Sequence, residues 1–139
     1  ADSGATSITF HPEASKDPAK SLELIENLGC QPGLVLNPDI SLNVLEPYLE
    51  DIYMVLLMSV FPGFGGQKFI PEVLDKVKNL RKQIDEKNLE VRLEIDGGVN
   101  SENISDISSA GADTFVAGSA IFNNKNYSNA IKNLRDNFY

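Results

Sequence analysis

One carboxylate, one imidazole and three clusters of glycine are the residues of this chain whose types and placement suggest chemistry. Asp96 closes the run Val91-Arg92-Leu93-Glu94-Ile95-Asp96 and is followed at once by Gly97-Gly98. His11, the sole histidine, closes Thr6-Ser7-Ile8-Thr9-Phe10-His11. The glycine clusters are Gly63-Phe64-Gly65-Gly66, Gly97-Gly98 and Gly118-Ser119. A carboxylate at a strand end is suited to proton transfer. Glycine turns let a ligand approach the backbone, and turns that lead into helices offer free N–H groups to an anion. Each feature also has a plainer reading. Asp-Gly-Gly is ordinary turn chemistry, and spacing alone does not choose between that and catalysis for Asp96. A lone histidine at a strand end reads first as a hydrogen-bonded structural residue. Any one glycine cluster reads first as a turn, but three at the same end of one sheet favour a phosphate cradle.

Positioning such groups takes an alternation of strands and helices, and the sequence carries one. Strand signals fall at Thr6 to His11, Gly33 to Leu36, Tyr53 to Val60, Val91 to Ile95 and Thr114 to Ala117. Val55-Leu56-Leu57-Met58 has the unbroken apolar pattern of a strand buried on both faces. Between the first two strands, Asp17 is placed as an N-cap and Pro18 at the first helical position. Leu22, Ile25 and Leu28 form the stripe of that helix, and Gly29 ends it. A weaker helical stretch covers Leu42 to Tyr48, interrupted by Pro47. Pro71 opens an amphipathic helix with Val73, Leu74, Val77, Leu80 and Ile84 on one face. Ser101 is placed to cap a helix ending at Gly111, and Tyr127, Ala130, Ile131, Leu134 and Phe138 stripe the last helix. Five strands alternating with helices predict a parallel β/α architecture in a single domain over residues 1–139. In such folds ligands bind at the C-terminal ends of the strands. Strand parity puts Arg92, Glu94 and Asp96 on one face, opposite Val91, Leu93 and Ile95, and puts His11 opposite Ile8 and Phe10.

Composition narrows the options. The 139 residues are 42% apolar and 23% charged with a formal net charge of -8. An acidic chain of this kind is a poor nucleic-acid ligand, yet backbone amides can still bind phosphate. One cysteine and one histidine exclude an internal disulfide framework and a His/Cys zinc cluster. Cys30 reads as a small buried apolar residue. No apolar run reaches the ~20 residues of a membrane span, and no secretory signal is visible, so a cytoplasmic protein is expected. The chain opens without Met and its strand pattern begins almost at once, as if entered partway through an architecture.

Four segments carry a family resemblance. Leu57-Met58-Ser59-Val60-Phe61-Pro62-Gly63-Phe64-Gly65-Gly66-Gln67-Lys68-Phe69 resembles the signature of ribulose-phosphate 3-epimerases. Glu94-Ile95-Asp96-Gly97-Gly98-Val99-Asn100 and Val116-Ala117-Gly118-Ser119-Ala120-Ile121-Phe122 match the same family in the same order, as does Gly4-Ala5 followed by Ile8 to Ala14. The resemblance implies a (β/α)8 TIM barrel, of which this chain matches strands four to eight, a partial barrel of about five βα units. It implies interconversion of D-ribulose 5-phosphate and D-xylulose 5-phosphate by proton transfer at C3, assisted by one divalent ion, zinc or iron. Asp96 is then one member of the acid–base pair and a metal ligand, while its partner carboxylate and the other ligands lie on strands two and three. Gly63, Phe64, Gly65, Gly66, Asp96, Gly97, Gly98, Gly118 and Ser119 would hold the substrate and its phosphate. Met58 and His11 are possible site lining, His11 by shaping the barrel mouth.

Within this resemblance the chain alone is expected to be inactive, because the strand-two and strand-three groups are absent. Open sheet edges predict a homo-oligomer or an assembly with a partner, with no nucleic acid and no membrane involved. Two alternatives remain: another sugar-phosphate epimerase or lyase of the same barrel group, and a non-catalytic half-barrel that binds phosphate.

Overall fold

A computed structural model describes residues 1–138. Its strands are β1 (Ser7–Phe10), β2 (Gln31–Leu36), β3 (Met54–Met58), β4 (Arg92–Asp96) and β5 (Thr114–Val116). Its helices are α1 (Pro18–Asn27), α2 (Val73–Glu86), α3 (Ile104–Ser109), α4 (Ser119–Phe122) and α5 (Tyr127–Phe138). All strand pairs are parallel, and the sheet order β1-β2-β3-β4-β5 follows the chain. The expected β/α alternation is therefore present. Among the described residues no helix is long and apolar enough to cross a membrane.

Local signals explain most boundaries. The Asp17 carboxylate accepts a hydrogen bond from the Lys20 amide at the start of α1, with Pro18 in the first helical position. Gly29 and Gly111 end their helices with positive φ, a conformation that glycine adopts without penalty. At Gly111 an added Cβ would also lie 2.5 Å from the Arg81 side chain. Two expectations are corrected. Leu42 to Tyr48 forms only a short 3-10 turn, Leu42–Leu45, capped by the Ser41 hydroxyl, because Pro47 lacks the amide a longer helix needs. Ser101 does not cap α3. There the Asn100 side chain accepts from the Glu102 amide, and Asn103 accepts from the Asn100 amide.

The core lies on one face of the sheet. Leu34, Leu36, Val55, Leu57, Leu93 and Ile95 are fully buried beneath Leu22, Val77, Leu80, Ile84 and Ile107 from the helices. Each such side chain contributes roughly 1.5–3 kcal/mol of transfer free energy. Register sets the opposite face: Met54 pairs with Arg92, Leu56 with Glu94 and Met58 with Asp96. These six residues are half-buried or exposed, so β3 is not buried on both faces as its apolar run predicts. Its Val55 and Leu57 are buried, and the alternate residues face the open side of a sheet that does not close.

Two polar clasps hold the layers in place. The Lys76 ammonium donates to the carbonyls of Pro38 and Ile40 at 2.7 and 2.6 Å, fastening α2 to the connection after β2, while burial pushes its pKa down. At the N-terminal end of the sheet, Asp113 accepts from Arg81 Nη2 at 2.9 Å and from the Leu93 amide at 3.2 Å. Arg81 Nε also donates to the Gly111 carbonyl at 3.0 Å. Asp113→Ala removes the acceptor from a half-buried amide and from a guanidinium, so we expect a loss of ~1–2 kcal/mol in urea unfolding. A change below ~0.3 kcal/mol would show the cluster to be solvent-equivalent.

Candidate active site

Asp96 is the last residue of β4, and pairing with Met58 on one side and Val116 on the other fixes its height in the sheet. Its carboxyl stands on the open face and is half-buried, and that burial raises its pKa above the ordinary aspartate value. Glu94, two residues earlier on the same face, is raised first by burial and then by the neighbouring Asp96 charge, with Arg92 opposing. Burial disfavours the charged form of both groups.

The turn after Asp96 is held by contact on several sides. Gly97 has φ of 129°, and an added Cβ would fall 2.8 Å from the Val60 amide nitrogen. At Gly98 φ is 67° and an added Cβ would lie 2.3 Å from the Phe69 amide nitrogen. The Gly98 carbonyl accepts from the Asn100 and Asn103 side chains at 3.2 and 3.0 Å. Beneath the turn sits Ser59, fully buried. Its hydroxyl donates to the carbonyls of Gly97 at 2.6 Å and Asp96 at 3.0 Å. The Ser59 amide donates to Asp96 O, and the Ser59 carbonyl accepts from the Ile70 amide where the glycine loop returns. The loop is braced in turn by Gln67, whose side-chain amide donates to the carbonyls of Phe61 and Phe64 at 2.7 and 3.0 Å. Gly63 and Gly66 have positive φ with open space around them, so their requirement is conformational.

These segments enclose a pocket of about 350 Å3 at the C-terminal ends of β3, β4 and β5. Met58, Gly63, Phe64, Gly65, Gly66, Asp96, Gly97, Gly98, Gly118 and Ser119 all line it. Phe64 remains 75% exposed at the loop tip. His11 does not line this pocket. It follows β1, separated from β4 by β2 and β3, and its Nδ1 lies 3.5 Å from Glu13 Oε1. Gln67, Val60 and Val116 also line the pocket. The sequence reading gave these residues no role, nor Ser59, Asn100 or Asn103. A lone hydroxyl inside the apolar run Val55 to Val60 was the available signal for Ser59.

Asp96 offers carboxylate oxygens suited to a divalent ion. Among the described residues, however, no group of three or more His, Cys, Asp or Glu side chains is placed to hold one. The described residues do not by themselves bring together a set of three such ligands.

Two outcomes follow from this geometry. Gly98→Ala forces a side chain against the Phe69 backbone in a left-handed conformation, so we expect a loss of at least ~2 kcal/mol in chemical unfolding. A near-neutral result would show that the turn can move away. Asp96 and Glu94 hold their protons to higher pH in the folded chain than in the unfolded one. The stability this provides is complete below the unfolded pKa and is lost as pH rises through the folded one. Asp96→Asn should therefore stabilise the fold more at neutral pH than at about pH 3. Urea midpoints at the two pH values check this, and an advantage that shrinks as pH rises would contradict it.

A sequence model of the ribulose-phosphate 3 epimerase family matches residues 1–122. The chain is 51% identical over 135 residues to the ribulose-phosphate 3-epimerase of Escherichia coli K12, covering 97% of this chain and 60% of that protein. It is 55% identical over 126 residues to ribulose-phosphate 3-epimerase 2 of Cupriavidus necator, covering 88% of this chain and 52% of the relative. The chain thus spans about 60% of the length of the Escherichia coli relative. Among solved structures, KGPDC from Streptococcus mutans superposes with a TM-score of 0.69 at 21% identity, over 97% of this chain and 61% of that one. A 3-hexulose-6-phosphate synthase superposes with a TM-score of 0.68 at 20% identity, over 99% and 64%. At that identity the likeness concerns the fold alone, an α/β barrel of the TIM type whose sheet stays open in this chain. Family match and sequence identity agree with the motifs around Asp96: the chain belongs to the ribulose-phosphate 3-epimerase family.

Proposed function

We propose that this chain, as the C-terminal part of a (β/α)8 barrel, supplies one catalytic carboxylate and the phosphate cradle of a ribulose-phosphate 3-epimerase. The observation that carries the reading is the convergence of Asp96 and all three glycine turns on one pocket. The substrate pair is D-ribulose 5-phosphate and D-xylulose 5-phosphate, which differ only in configuration at C3. The C2 carbonyl acidifies the C3 proton. Removal of that proton on one face and its return on the other inverts the centre, which calls for two proton-transfer groups on opposite sides.

Asp96 is one of them. Half-burial raises its pKa, which makes its carboxylate a stronger base toward the C3 proton. Gly63 to Gly66, with Gly97, Gly98, Gly118 and Ser119, surround the phosphate end, where backbone N–H groups accept an anion without a cationic side chain. Met58 supplies a polarizable apolar wall beside Asp96. The second carboxylate and the remaining ligands of a zinc or iron ion come from outside these residues. In the complete protein such an ion would supply positive charge beside the oxygens of the substrate. His11 helps shape the mouth at the far side of the sheet. We place the assembled enzyme in the cytoplasm as a homo-oligomer.

The test replaces the matching segment of the Escherichia coli relative with this chain and follows solvent deuterium entering C3 of D-ribulose 5-phosphate. We expect incorporation within about tenfold of the parent enzyme, and a drop of at least ~10^3-fold in Asp96→Asn. A folded chimera without exchange, or an Asp96→Asn variant that retains it, would contradict the assignment.

A further inference from the structure

Ser59 has no direct part in the chemistry proposed above, yet it is the one buried polar side chain among the described residues. Its placement is unusual in what it joins. The ladder between β3 and β4 continues as far as the Ser59 amide donating to Asp96 O. Gly97 then leaves the strand with φ of 129°, so its carbonyl can no longer join a ladder. Among the described residues the donor that meets this carbonyl is the Ser59 hydroxyl, at 2.6 Å.

Gly97 O belongs to the same peptide unit as the Gly98 N–H. The unit is trans and planar, so its carbonyl and its N–H point in opposite directions. No protein acceptor meets the Gly98 N–H among the described residues, and Gly98 lines the pocket.

We propose that Ser59 is a positioning residue: by holding the Gly97 carbonyl in the core it turns the Gly98 N–H into the pocket, toward an anionic oxygen of the ligand. The proposal rests on the reading of the glycine turns as a phosphate cradle. Without the hydroxyl, a buried carbonyl loses its donor. The cheapest remedy is rotation of the 97–98 peptide toward water, which would turn the N–H away from the ligand.

The test uses inorganic phosphate titrated into the isotope-labelled chain, with backbone amide resonances as readout. Ser59→Ala keeps the volume and both backbone bonds of Ser59, and Ser59→Thr keeps the hydroxyl. Asp113→Ala, which loosens the opposite end of the sheet, gives the baseline for a merely destabilised fold. We expect Ser59→Ala to raise the phosphate Kd about tenfold, with Asp113→Ala near the parent and Ser59→Thr between them. A folded Ser59→Ala variant within about twofold of the Asp113→Ala baseline would overturn the proposal.

If phosphate moves no amide of the parent chain, the cradle reading fails, and Ser59 is judged on the orientation of the Gly98 N–H, read from residual dipolar couplings of the labelled chain. A Gly98 N–H vector that departs from the parent orientation in Ser59→Ala but not in Asp113→Ala supports the positioning role. A vector unchanged in Ser59→Ala overturns it.

Discussion

The close approach of two strand ends, Met58-Ser59-Val60 at the end of β3 and Asp96-Gly97-Gly98 at the end of β4, is the constraint on which the rest of the site depends. A parallel ladder brings the strands to the same height, but a ladder alone would leave Asp96 at a frayed edge. Backbone contact too tight for any Cβ at Gly97 and Gly98, with the buried Ser59 hydroxyl beneath, turns that edge into a fixed feature. The returning glycine loop is tied to the same point through Ile70 and Phe69. A carboxylate and a ring of backbone amides are thereby held together by backbone contacts, with little reliance on long side chains. This arrangement suits an acidic chain. The pocket contains no Lys or Arg, so a phosphate there would be met by amide dipoles.

Much of this was legible in the sequence because the signals were local. Strand periodicity placed Asp96 on the face away from the core, and Asp17, Pro18 and Gly29 punctuated α1 as they do in the structure. Signals that depend on partners distant in sequence were harder to read. The reason Gly98 must be glycine is Phe69, almost thirty residues earlier, and no local pattern encodes that contact. The hydroxyl of Ser59 acts across a longer separation still. The apolar run of β3 misled for a related reason. Unbroken apolar character indicates two covered faces, and in this chain the face carrying Met54, Leu56 and Met58 is left open.

That open face bears on energetics as well as on chemistry. Glu94 and Asp96 already have raised pKa values through partial burial. Covering the face with further strands would deepen their desolvation and raise them again unless a cation or a donor compensates. In the reading proposed for it, the site is one flank of a larger cavity, with the glycine turns on the side that is built and the other side open in this chain.

We propose that one pocket at the ends of β3, β4 and β5 takes both the phosphate and the reacting carbon of a sugar phosphate. A crystal structure with D-xylulose 5-phosphate bound tests it most directly. We expect phosphate oxygens within hydrogen-bond reach of the Gly98 amide and C3 facing the Asp96 carboxylate. Phosphate bound away from the glycine turns, or a sugar whose C3 points away from Asp96, would contradict it.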